Sequence, residues 1–134
     1  MRTIRFRPNR DIIVVRGYVW GAHQKIPLRL VFDTGASHTV ITPEVLDKLG
    51  YSARHADART VLRSAVAEEH GYLLRVRRFR ALGFQFLDFP VHVHDLPEGF
   101  GIDGLLGLNF LHHFNYEVRS REGRILADRV AAAG

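Results

Sequence analysis

The chain has 134 residues, 46% of them hydrophobic and 25% charged, which is an ordinary globular composition, enough for one core and short for two domains. It contains no cysteine, which excludes disulfides, thiolate catalysis and cysteine-based zinc sites. Lys and Arg together number 19 against 14 Asp and Glu, a net charge of +5 that speaks to nonspecific attraction for anions and not to a fold.

In chain order, Met1 to Arg7 alternates apolar with basic residues, lacks the apolar core of a signal peptide, and reads as a strand. Ile12 to Trp20 is a second strand, Gly21-Ala22-His23-Gln24 a turn, and Ile26 to Phe32 the antiparallel partner. The aliphatic stretch Ile12-Ile13-Val14-Val15 falls far short of the roughly 20 residues that a membrane span needs. This hairpin runs directly into Asp33-Thr34-Gly35-Ala36-Ser37, so an acid stands at a strand-to-turn corner. Asp-Thr-Gly by itself also describes an ordinary turn, with Asp holding backbone and Gly supplying a positive φ. The β-branched run Thr39-Val40-Ile41 then returns the chain to a sheet.

Thr42-Pro43-Glu44 followed by Val45, Leu46 and Leu49 has helix chemistry: Thr42 caps, Pro43 fits the first turn, Glu44 suits the positive end and Gly50 stops it. Strands are expected at Thr60-Val61-Leu62, Tyr72 to Ala81, Gly83 to Phe86, Phe89 to Val93, Asn115 to Arg119 and Ile125-Leu126, with Glu122-Gly123 as a turn. Arg75, Arg77, Arg78 and Arg80 put charge on both faces of one extended stretch, which predicts that this segment projects into solvent for part of its length, with its tip at Ala65 to Gly71. Ile102 to Leu111 contains Leu105-Leu106-Gly107 with Asn109 and a short helix-like segment. The whole reads as an all-β single domain over residues 1–134, without internal repeats.

The match of Phe32 to Ala36 together with Leu105-Leu106-Gly107 and Asn109 resembles the retropepsin-like aspartic proteases, the single-domain retroviral type with bacterial forms, over roughly Ile12 to Leu126. The resemblance implies a closed β-barrel lobe of the acid-protease type, with one short helix after the active-site loop and one near the C-terminus. It implies that Asp33 is the catalytic carboxylate, that Thr34 braces two subunits' loops, that Gly35 leaves room for water and substrate, and that Ser37 hydrogen-bonds the carboxylate. It further implies that the basic hairpin is a flap closing over a peptide or protein substrate, although only Gly71 stands where retroviral flaps are glycine-rich.

Metal-free hydrolysis of a peptide bond by water needs one group to take a proton and another to give one, and two close carboxylates sharing a proton supply both. The motif occurs once, so the second acid is either internal or comes from another copy. Asp103 lacks the surrounding motif and reads as a turn or helix cap, which leaves Asp33 of a homodimer partner. The expected function is aspartic endopeptidase activity, and the rival is a non-catalytic binding or assembly module of the same fold. No cofactor is called for, because the mechanism requires only water.

Other chemistries are weaker. His92 and His94 share a strand face and could be joined by Asp88 or Asp95, and His112-His113 are adjacent, but no third ligand at fixed spacing makes a metal site. Ser37-His38 has no nucleophile elbow, and neighbours on an extended chain point apart. The basic residues are scattered from Arg2 to Arg129 without an aromatic platform, which argues against nucleic acid as partner. With no cysteine and no membrane span, a soluble cytoplasmic domain is expected, alone or within a longer protein.

Overall fold

Residues 25–32 alternate buried Leu28 and Leu30 with exposed Lys25, Pro27 and Arg29, the period-2 pattern of a strand with one face in a core. In the computed structural model, which describes residues 1–63, 68–99 and 101–131, with side chains outside 62–69, this strand is β3 (Lys25–Phe32). It pairs antiparallel with β2 (Val14–Trp20) from Val14↔Val31 to Trp20↔Lys25, so the expected hairpin before Asp33 is present. The other strands are β1 (Arg2–Arg5), β4 (Val40–Ile41), β5 (Ala58–Arg63), β6 (Glu68–Ala81), β7 (Phe84–Val93), β8 (Gly104–Leu106), β9 (Phe114–Arg119) and β10 (Arg124–Arg129).

The large sheet runs β2-β3-β8-β4-β7-β6-β5, and β2 also pairs with β6 through Gly17↔Ala81 to Trp20↔Arg78. That last pairing closes six strands into a barrel, leaving β5 outside it and removing most free edges. A second sheet, β1-β10-β9, packs Ile125 and Phe114 onto the same core. Phe79, Phe89 and Phe110 are buried at the centre, with Phe79 stacked on Phe89 at 4.9 Å and edge-on to Phe110 at 5.6 Å.

Two short helices accompany the barrel, as expected: α1 (Pro43–Lys48) and α2 (Leu108–Leu111). Pro43 opens α1, Val45 and Leu46 are its buried face, and Gly50 at φ 88° follows its end. Thr42 occupies the N-cap position, but its hydroxyl makes no capping bond, so the helix start rests on Pro43 and burial instead. A single 3-10 turn covers Ala53–His55.

The arginine-rich segment differs from expectation. Most of β6 is barrel wall, with Leu74, Val76, Phe79 and Ala81 buried and Arg75, Arg77, Arg78 and Arg80 exposed. Alternation slips by one residue at Arg77-Arg78, and on β7 the facing residues Leu87 and Asp88 are likewise both exposed. Asp88 sits at φ 50°, and the amide of Arg77 donates to Tyr51 Oη at 3.0 Å. Both strands therefore change phase together while keeping one register, so arginine on either side of the slip points outward. The same irregularity carries one continuous β7 through a point where two separate strands were expected. At the hairpin end, Glu68 to Gly71 pair with Arg63 to Thr60, so these four are strand and not tip. Ala65 to Ala67 lie outside the described residues.

Candidate active site

Asp33 stands where β3 leaves the barrel. The β3–β8 ladder is parallel, with Phe32↔Leu106 as its last pair, and the Asp33 amide continues it by donating to the Leu106 carbonyl at 3.1 Å. The chain then turns, Ala36 N–H donating to the Asp33 carbonyl at 3.2 Å. Gly35 N–H donates to Asp33 Oδ1 at 2.9 Å, which fixes the side chain against its own turn. A Cβ on Gly35 would lie 3.2 Å from that oxygen, so glycine lets the carboxylate stay there. Asp33 is half-buried, while Thr34, Gly35 and Ser37 are exposed around it.

The loop after Asp33 is sewn to the segment after β8. Leu108 N–H donates to the Ala36 carbonyl at 2.8 Å and Asn109 N–H to the Ser37 carbonyl at 3.1 Å. Asn109 Oδ1 accepts from both the amide and the hydroxyl of Thr39, each at 2.8 Å. The same hydroxyl accepts from Gly107 N–H at 3.2 Å, and Asn109 Nδ2 donates to the Pro90 carbonyl at 2.9 Å. Thr39 is fully buried, so the two side chains form a satisfied polar knot beneath the acid. Gly107 is needed for this approach: a Cβ there would collide with the carbonyl of His38 and come within 2.9 Å of that of Ala36. Sequence reading placed Asn109 and Gly107 in a motif but took Thr39 only as a β-branched strand residue. Its one visible signal was a hydroxyl beginning an otherwise aliphatic pair, Val40-Ile41.

Ser37 Oγ lies 3.0 Å from His38 Nδ1. The expectation that these neighbours point apart assumed an extended chain, and the chain bends here. The His38 ring stacks on His92 at 4.2 Å, and among the described residues no carboxylate hydrogen-bonds it to complete a serine-hydrolase relay. His92 is buried, and burial first, then the nearby His38 and His94, holds its imidazole below the ordinary histidine range. His94, just past the end of β7, is also buried, whereas His112 and His113 are exposed. Among the described residues no group of three or more His, Asp or Glu side chains is arranged to hold a metal ion.

Asp103 is committed elsewhere. Its Oδ2 accepts from Arg29 N–H at 2.8 Å, and its own amide donates to the Arg29 carbonyl at 2.8 Å. It therefore joins β3 to the approach of β8 as a backbone clamp, a structural role as expected but not the turn or helix cap its sequence context suggested.

A family model described as aspartyl protease matches residues 15–110, which spans β2 through α2 and so includes the acid, the Thr39–Asn109 knot and the barrel wall. The chain belongs to the aspartyl protease family. Among solved structures, it is similar to a retropepsin-like aspartic protease from Rickettsia conorii, with a TM-score of 0.71, 23% identity, and coverage of 94% of this chain and 99% of that one. It is also similar to the retroviral protease-like domain of Ddi1 from Leishmania major, with a TM-score of 0.58, 13% identity, and coverage of 89% and 90%. At these identities the likeness is one of fold, and the fold is retropepsin-like. No curated protein matches the sequence. As a member of the family, the chain carries its Asp-Thr-Gly once, and no helix of the described residues is long and apolar enough to cross a membrane.

Proposed function

We propose that the protein is an aspartic endopeptidase whose active site forms between Asp33 of two copies. One observation carries this reading: a half-buried Asp33 sits on a rigidly braced loop beside exposed Thr34 and Gly35, while the rival acid Asp103 is occupied by Arg29. A two-fold axis beside Asp33 supplies a second identical carboxylate without a second motif. The pair shares one proton, so the ionised member takes a proton from water as the protonated member hydrogen-bonds the peptide carbonyl. Water attacks the carbonyl carbon, and the resulting tetrahedral species collapses with proton transfer to the leaving amine. Apparent pKa values then belong to the pair and not to either residue.

In this reading Thr34 braces one loop against the other across the axis, Gly35 leaves space for water, and Ser37 turns from His38 toward the carboxylate when the dimer forms. The β5–β6 hairpin serves as the flap over an extended peptide substrate. A cysteine-free chain suits a reducing cytoplasm.

The decisive experiment is digestion of a peptide library from acidic to neutral pH, with mass measured in solution and Asp33→Asn as control. Cleavage by a dimer that Asp33→Asn abolishes is expected. Cleavage that survives Asp33→Asn overturns the role of Asp33, and a confirmed dimer that cuts nothing at any pH overturns the proposal in favour of a non-catalytic module.

A further inference from the structure

A cleft of about 900 Å³ lies between the amino-terminal segment and β3, apart from the Asp33 loop. Among the described residues, Arg5, Arg7, Arg10, Arg16 and Arg29 line it against a single carboxylate, Asp11. All five arginines are exposed, and among the described residues none of them is ion-paired, although Met1, Lys48, Arg75, Arg119 and Arg124 all find acidic partners. Gathering five guanidinium groups around one cavity costs repulsion that an anion relieves. Arg29 is held ready: its Nε donates to the Gly101 carbonyl at 2.8 Å, and Asp103 pins its backbone.

Two further features narrow the ligand. The cleft floor is apolar, formed by half-buried Phe6, Ile12 and Val14. A small inorganic anion or a phosphate backbone has no use for that floor, and among the described residues Phe6 is the one ring in the lining, whereas a base-stacking platform uses several. The second feature is a strand edge. Gly17–Trp20 of β2 pair with both β3 and β6, whereas among the described residues Val14–Arg16 pair with β3 alone. An extended peptide can add to such an edge, its alternate side chains meeting the arginine rim and the apolar floor. Guanidinium forks favour carboxylates in bidentate geometry.

We propose that this cleft binds an extended peptide segment of alternating acidic and apolar side chains. It would hold a partner or substrate protein about 13 Å of strand away from the acid, the span of four residues from Arg29 to Asp33. Binding here involves no catalytic step and stands independently of the protease reading.

The test uses the Asp33→Asn chain, which prevents any cleavage, and a fluorescein-labelled heptapeptide of alternating Glu and Leu read by anisotropy. Comparison probes are the Glu/Ser analogue, the Lys/Leu analogue and a single-stranded oligonucleotide of equal charge. The Glu/Leu peptide should bind best, and Arg10→Glu with Arg16→Glu should weaken it by about tenfold or more. Arg54→Glu, a charge reversal at an exposed arginine of the 3-10 turn, should change it less than about twofold, as for an isolated surface charge. Hydrogen exchange on the unmutated cleft gives a second readout, with added peptide protecting the amides of residues 14–16. Equal effects of the two reversals, oligonucleotide or Glu/Ser binding as tight as Glu/Leu binding, or protection confined to other segments overturns the proposal.

Discussion

Thr39 and Asn109, 70 residues apart in sequence, meet beneath the Asp33 loop, the Thr39 hydroxyl giving its proton to Asn109 Oδ1 at 2.8 Å while accepting from Gly107 N–H at 3.2 Å. Because the hydroxyl is donor and acceptor at once, it fixes the return of the loop and the start of α2 with one atom. Thr39→Val keeps the shape and removes both bonds, orphaning a buried amide. We expect a loss of about 1–3 kcal/mol in urea unfolding. Asn109→Ala should cost more, since it strands the Thr39 amide and the Pro90 carbonyl as well. A double mutant cycle should show strong coupling between the two, and additive losses would show that the knot is not a unit.

Gly107→Ala tests the other half of that junction. Its Cβ would enter the space of the His38 carbonyl, which is backbone and cannot swing aside. The loop after Asp33 must then move away from α2, at a cost of about 1–3 kcal/mol or more, as for overpacking. Proteolysis should fall together with stability. A variant of unchanged melting temperature and unchanged activity would contradict the packing described.

Asp33 and Asp103 are expected to separate cleanly in experiment. Asp103→Ala removes the bond to Arg29 N–H and should lower stability by about 1–2 kcal/mol, as for a part-exposed charged acceptor. Under the proposed mechanism it should leave kcat/KM unaltered. Asp33→Asn keeps the turn, because its side-chain oxygen still accepts from Gly35 N–H, so stability should hold while cleavage disappears. An Asp103→Ala enzyme that folds fully yet loses cleavage would make Asp103 the second acid.

The parts of this fold legible from sequence were those whose cause is local. Alternation set β2 and β3, and Asp33-Thr34-Gly35 marked the corner because strand, acid and turn residues are consecutive there. Pro43 and Gly50 framed α1 for the same reason. What escaped depends on partners far along the chain. The phase slip at Arg77-Arg78 exists only because Leu87 and Asp88 slip opposite it and Tyr51 takes the released amide. Read alone, the arginines looked like a strand leaving the protein. The Thr39 knot was hidden similarly, since a hydroxyl in an apolar run acquires meaning only when Asn109 is brought beside it. Ser37 and His38 were judged by extended-chain geometry, which the bend at the site cancels.

His92 ties stability to pH. Its folded-state pKa is lowered, by burial first and by His38 and His94 next, from the ordinary value of 6.5. A lowered pKa means that the folded protein refuses a proton the unfolded chain accepts, so acid favours unfolding. The contribution of neutral His92 is thus fully present above about pH 6.5 and lost as pH falls through its folded value. Protonation there would also set charge against the stacked His38 ring, 4.2 Å away and next to Ser37. His92→Leu should therefore flatten the fall in melting temperature between neutral pH and about pH 5, the interval in which histidines ordinarily titrate. The parent chain should retain the steeper slope. Parallel slopes in the two proteins would place the acid sensitivity in carboxylates and not in this ring.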